Sequence, residues 1–382
     1  FGTRLQGGSD SASERYIHTN LNKITRLIFP EADDYVLKYL DDDGTPVEPI
    51  YYVPIIPMIL VNGSKGIGTG FSTDIMCHNP LDLIQYIKCV LQNTELPILN
   101  PYYEGFKGTI ERIDDKKWLI KGCYEIINDK KIRVTELPIG IWTDDYKKYI
   151  EDLIDGSDKK KSKKDIYVKD YTDMSTDVTV DVTITFYEDK INELQMKQTD
   201  YNCNGLEKLL KLYVTKSTNN MHMFDENEKL KKYDNIEDII NHYITVRKNV
   251  YIERKKYQLN VLKEEANLLS NKARFINEIL NDEIDLRRKT KEKVIEILTS
   301  KKYDKLENDE EYKYLVRLPM DSVTEENYIK LINERDNKIT ELNILTKKDI
   351  KSIWLEELDK LQTTYETYKK SKTKKKLKII KK

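Results

Sequence analysis

An arginine and a tyrosine stand side by side at Arg15 and Tyr16, within the segment FGTRLQGGSDSASERYIHT that runs from Phe1 to Thr19. A phenol ionises at a pH of about 10, so an ordinary tyrosine is a poor nucleophile. A cation beside it favours the phenolate and can also hold a phosphate in line for attack. Gly7, Gly8, Ser9, Ser11 and Ser13 are small and polar, which lets a nucleic-acid backbone come close. The dipeptide alone is common and usually only a surface pair, so the case for chemistry rests on what surrounds it.

A second cluster is Asn62 to Gly70, NGSKGIGTG, which follows the apolar run PIIPMILV. Gly66, Gly68 and Gly70 alternate around Ile67, an apolar residue on a loop that reads as exposed. The Gly-x-x-x-x-Gly-Lys pattern of a phosphate loop is absent. The alternatives are a tight turn, or a wedge pushed between base pairs to kink a duplex. A third cluster, KLYVTKSTNNMHMFD from Lys211 to Asp225, offers Lys216, Ser217, Thr218, Asn219 and Asn220 as donors to phosphate oxygens. By composition alone it is as readily a turn.

FGTRLQGG followed by RYI closely resembles the winged-helix region of eukaryotic-type (type IIA) DNA topoisomerase II. The resemblance implies that Tyr16 attacks a DNA phosphodiester and that Arg15 stabilises the transition state. The family more often has Lys, Ala and Pro where this chain has Ser9, Ser11 and Glu14, and none of these changes touches the reacting pair. NGSKGIGTG is similar to the family's intercalating loop, which implies that Ile67 enters the DNA stack and bends the duplex. Here Lys65 replaces the usual Glu and Phe71 the usual Trp. The stretch from Lys211 matches the family's contact with the arm of the bent duplex. Arg4, Lys65, Gly66, Gly68, Lys211, Lys216, Ser217, Thr218, Asn219 and Asn220 are thus expected DNA contacts. NKARFI (Asn271 to Ile276) resembles the family's pattern at the outer end of its coiled coil, and Tyr314 to Pro319 its L-x-x-(L/M)-P before the returning helix.

The elements that must position these residues read as follows. Thr19 caps a short helix through Phe29, which Pro30 ends. Ile50 to Val61 reads as a buried strand region, and Asn79 and Pro80 open a helix to about Leu91. Strands surround Trp118 and span Ile132 to Leu137, a helix follows Thr143, and Val178 to Phe186 alternates as a half-buried strand. Asp158 to Asp165 is a charged linker or loop tip. Asp234 caps a helix of roughly 35 residues, on the order of 50 Å long. Ser322 and Glu325 form a capping box for a second long helix. A third begins near Thr346, with Trp354, Leu358, Leu361, Tyr365 and Tyr368 on one face.

The expected fold is therefore α+β and multidomain. With the resemblance, it comprises a winged-helix region at 1–100 and an α/β tower domain at 101–232. Antiparallel coiled-coil arms follow at 233–269 and 322–370, with a helical exit-gate dimerisation domain at 270–321 and a basic tail at 371–382. At 382 residues the chain can hold two or three such domains. Lys plus Arg total 65 against 66 Asp plus Glu, so net charge gives no case for nucleic acid; only the basic run after Lys369 does, and such runs are usually solvated. Cys77, Cys89, Cys123 and Cys203 lack C-x-x-C spacing, which argues against zinc and for a reducing compartment. No apolar run approaches the roughly 18 residues of a membrane span, and no signal peptide is present. Opening on Phe1 inside a motif, the sequence reads as a piece of a longer protein.

The resemblance implies double-stranded DNA as substrate, a homodimer, no membrane and no small-molecule substrate. Its Mg2+ ligands lie in an upstream Toprim domain and its ATPase further upstream, so no metal ligand is assigned here. The piece alone is expected to cleave DNA poorly or not at all. A cellular enzyme of this kind would act in the nucleus, a viral one also in a cytoplasmic factory. The competing reading is a non-catalytic scaffold that binds and bends DNA through a winged helix and coiled coil.

Overall fold

The computed structural model describes residues 2–155, 167–306, 309 and 311–380, without the side chains of 320 and 373–380. The expected linker from Asp158 to Asp165 lies outside the described residues. The fold is mixed α+β, in two compact units: Phe1–Thr25 with Ile56–Tyr243, and Arg26–Ile55 with Ile244–Lys382.

In the first unit, Cys123–Asn128, Lys131–Glu136, Val182–Phe186 and Val168–Asp173 form a four-stranded antiparallel sheet in that order. Alternation along Lys131–Glu136 and Val182–Phe186 buries Ile132, Val134, Val182, Ile184 and Phe186, against which the helix Thr143–Asp155 sets Tyr146 and Ile150. Burying each such side chain contributes about 2 kcal/mol. The strand begins at Val182 rather than Val178, because Thr176 and Thr179 bond each other in a turn that leaves Val178 exposed. Tyr213–Ser217, Lys117–Lys121 and Thr109–Asp114 make a three-stranded antiparallel sheet. The helix Pro80–Gln92 follows the expectation: Asn79 accepts from the Leu81 amide at 3.1 Å, and Pro80 fills the first turn.

The apolar run before NGSKGIGTG is not a strand. Pro54 and Pro57 remove two backbone donors, and the chain closes into a short helix, Met58–Asn62. The helix expected from Thr19 shrinks to Thr25–Ile28, where Asn22 rather than Thr19 bonds a leading amide, that of Ile24 at 3.1 Å.

In the second unit, the helix Ile236–Leu280 crosses from the first and runs for 45 residues. It outruns the expected length because Asn271, Ala273, Phe275 and Ile276 stay buried at helical spacing. Its leading amide at Asp238 bonds Asn235, not Asp234. Glu325–Lys347 and Ile350–Ile380 return alongside it: Lys338 meets Glu265 at 2.9 Å, and Lys255 donates to the carbonyls of Thr346 and Lys348. Thr324 caps the first of these on the Asn327 amide, while Ser322 bonds back to Pro319, so the expected Ser322–Glu325 capping box is not made. Beyond Phe275, the helix Lys291–Ser300 buries Val294 and Leu298 against Ile284, Tyr303, Tyr312 and Leu315. No described helix is long and apolar enough to cross a membrane.

Candidate functional site

The loop that leads to Tyr16 is held at many points. Asp10 accepts from the Thr3 amide at 2.8 Å and the Thr3 hydroxyl at 2.6 Å, and these bonds hold its carboxyl below the usual range. The Arg4 amide bonds the Asp177 carbonyl, the Asp144 amide bonds the Leu5 carbonyl, and Gln6 donates to the Asp144 carboxylate. Gly7 has φ near 64°, and a Cβ there would lie 2.3 Å from the Trp142 ring, so both backbone and space require glycine. The loop ends in a single 3-10 turn, Glu14–Tyr16, closed by the Tyr16 amide on the Ser13 carbonyl at 3.0 Å. Tyr16 is left 72% exposed, with the Arg15 guanidinium 4.8 Å from its ring centre. An accessible hydroxyl with a cation over its ring can take a phosphate between them.

NGSKGIGTG is a β-hairpin. Ser64–Gly68 pairs with Phe71–Ile75, joined by a two-residue turn at Thr69 and Gly70, where Gly70 takes a φ of 87°. Ile67 is 93% exposed. Its neighbours Gly66 and Gly68 have no side chains to shade it, and the Phe71 ring lies so close over Gly68 that an added Cβ would meet it at 2.7 Å. An isoleucine held out on a glycine-flanked strand has the shape of a wedge.

The third sequence cluster comes back to this hairpin. Lys216 meets Asp74 at 3.1 Å, the Asp74 amide bonds the Asn220 carbonyl at 2.8 Å, and Thr73 bridges to Met221. The Thr73 hydroxyl donates to the His222 carbonyl, and His222 Nδ1 donates to the Ser72 carbonyl at 3.0 Å. Asp74 and His222 carried no signal of their own in the sequence; only the cross-strand place of Asp74 opposite Lys65 marks it.

The other expected DNA contacts divide by exposure. Lys65, Gly66, Lys211, Ser217, Asn219 and Asn220 are exposed, and Gly68 is half-buried. The Lys211 ammonium sits 3.6 Å from the Tyr149 ring centre. Thr218 is buried, with its amide and hydroxyl both turned to the Lys116 carbonyl. Arg4 is drawn into an ion pair with buried Glu136, which also accepts from the Leu137 and Lys107 amides. Arg4 and Thr218 thus use their polar groups inside the fold. Among the described residues no group of three or more His, Cys, Asp or Glu is placed to hold a metal ion.

The family model for the A subunit of DNA gyrase/topoisomerase IV matches residues 1–359. DNA topoisomerase 2 of Caenorhabditis elegans is 36% identical over 94% of this chain and 26% of its own length. DNA topoisomerase 2 of Acanthamoeba polyphaga mimivirus is 34% identical over 96% of this chain and 33% of its own. The chain therefore spans about a quarter to a third of these curated relatives. Among solved structures, the DNA-binding, cleavage and re-ligation domain of Plasmodium falciparum topoisomerase II is similar, with a TM-score of 0.84 and 34% identity over 98% of this chain and 53% of that one. Motifs, fold and relatives agree along nearly the whole length, and the chain belongs to the type II DNA topoisomerase family, in the part that breaks and rejoins DNA.

Proposed function

We propose that this chain supplies the breakage-reunion chemistry of an ATP-dependent type II topoisomerase that relaxes and decatenates DNA. The exposed Tyr16 hydroxyl beneath Arg15, on a loop pinned at Asp10, Asp144 and Asp177, is the observation that carries this reading. Tyr16 Oη attacks a backbone phosphorus; the new O–P bond forms as the bond to the 3′ oxygen breaks. The phenol loses its proton, the 3′ oxygen gains one, and a 5′-phosphotyrosine remains. That ester keeps most of the energy of the phosphodiester, so religation is the same exchange run backwards. Arg15 neutralises charge that builds on the phosphorane-like transition state. Holding the phenol on a pinned loop fixes its line of approach, which is worth more than its intrinsic reactivity.

Ile67 wedges and bends the gate duplex, and Lys65, Gly66, Gly68, Lys211, Ser217, Asn219 and Asn220 face its backbone. The first 100 residues act as a winged-helix region and 101–232 as a tower. The paired long helices serve as coiled-coil arms, and 270–321 as the exit gate of a homodimer. Mg2+ and ATP serve the whole enzyme through residues outside this chain; bound Mg2+ would supply Lewis-acid stabilisation of the phosphate. In a cell the enzyme acts in the nucleus, and for a virus also in a cytoplasmic factory.

The test combines this chain with the upstream half of a relative, Mg2+ and duplex DNA, and traps covalent adducts under denaturing conditions. Wild type should give adducts at 5′ ends and Tyr16→Phe none. Absence of adducts from wild type, with the duplex still bound, would favour a DNA-bending scaffold.

A further inference from the structure

We propose that residues 216–224 brace the hairpin that carries Ile67, with Lys216 and His222 acting as positioning residues for the wedge. The inference rests on the reading of Ile67 as the intercalating residue. A two-stranded hairpin is marginal alone and has no fixed angle to its surroundings. Unstacking a base step costs a few kcal/mol, so a loose hairpin would swing aside rather than enter the stack. Something must resist that recoil.

The Phe71–Ile75 strand is the one that is held. Its Ser72 carbonyl, Thr73 hydroxyl and Asp74 amide each bond residues between Asn220 and His222. The Phe71 ring meets Phe224 edge-on at 6.0 Å and lies 6.3 Å from His222. Lys216 closes the other end on Asp74, with the two side chains only 21% and 33% exposed. The restraint thus covers Phe71 through Asp74, while the tip with Ile67 projects free. In this arrangement the Lys216 ammonium serves Asp74, not a DNA phosphate. Asp74 in turn stands opposite Lys65 on the other strand, which leaves Lys65 as the exposed cation of the hairpin.

The two roles for Lys216 make opposite predictions. The full chain is mixed with a duplex labelled at both ends, and energy transfer reports bending while affinity is followed against salt. As a brace, Lys216→Met and Asp74→Asn should each lower the bent-to-straight ratio about fivefold with the salt slope unchanged. His222→Ala should act in the same direction, and the exchange Asp74→Lys with Lys216→Asp should recover bending. Thermal unfolding of each variant separates a lost brace from a lost fold, and Lys216→Arg, which keeps the pair, should bend DNA like wild type. A fall in slope by about 0.9 for Lys216→Met, with Asp74→Asn bending normally, would make Lys216 a phosphate contact and overturn the brace. Ile67→Ala is the control for the underlying reading: unchanged bending there sinks the wedge and the brace together. Straightening by Ile67→Ala alone sinks only the brace.

Discussion

Tyr16 and Tyr251 have the same kind of neighbour and opposite surroundings. Each has arginine over its ring, Arg15 at 4.8 Å for Tyr16, Arg247 and Arg254 at 4.0 and 4.6 Å for Tyr251. Tyr251 is 1% exposed, its hydroxyl donates to Glu357 at 2.6 Å, and burial pushes its phenol far above the ordinary range. Its arginines are engaged too: Arg247 with Asp33 and the Val53 carbonyl, Arg254 with Asp33 and Glu357. The same residue types make a structural knot when hydroxyl and guanidinium are buried against protein partners. In the proposed reactive site the hydroxyl and the cation instead face solvent. An arginine over a tyrosine is therefore no signature of chemistry by itself; chemistry also requires that both groups be available.

The two tyrosines should part most widely when each hydroxyl is removed and covalent adducts are scored with the complemented enzyme. Tyr16→Phe should abolish them, whereas Tyr251→Phe should leave them at the wild-type level while the fold holds. Removing the cations comes next. Arg247→Ala takes one of two arginines from buried Asp33, leaves the Val53 carbonyl without its donor, and should cost about 3–5 kcal/mol in denaturant unfolding. Arg15→Ala should leave stability unchanged and slow adduct formation by about 10²–10³-fold. Equal loss of stability from both variants would erase the distinction.

A buried group outside either pair makes the same point, that burial sets behaviour. His78 is 1% exposed, and desolvation lowers its pKa from 6.5 to about 4. As pH falls, the unfolded chain takes up this proton first. The stabilisation is complete above pH 6.5 and drains away as pH drops towards 4, by about 3 kcal/mol in all. The difference in unfolding free energy between wild type and His78→Leu, measured at pH 7.5 and 4.5, should change by about that amount, with wild type losing ground at the lower pH. A constant difference would contradict it. The smallest effect belongs to Tyr251→Phe, about 1–2 kcal/mol of stability for the lost bond to Glu357.

Much of the first unit could be read from local signals. Asn79 with Pro80 opened a helix where expected, and the alternation up to Phe186 marked a strand, because caps and periodicity act between near neighbours. The misreadings have two causes. Ile50 to Val61 is apolar enough for a strand, yet Pro54 and Pro57 cannot supply the ladder's donors. Ser322 and Glu325 had the spacing of a capping box, but the 3-10 turn Met320–Ser322 ends there and passes the role to Thr324. The first was written in the prolines themselves; the second turned on a backbone turn that residue spacing alone does not assign.

The order of residues already held the chemical inventory: a tyrosine next to an arginine, and an isoleucine between glycines. Such motifs are contiguous, so covalent connection alone brings their atoms near one another. Which groups were available was settled by the tertiary fold. Lys216 and Asp74 lie 142 residues apart, Arg247 and Asp33 214. No local pattern could show that the first lysine is already paired or that the buried arginine is engaged. The Arg15 and Tyr16 pair owes its proximity to the chain's order and its exposure to the fold, which pins the preceding loop and leaves the phenol open to solvent.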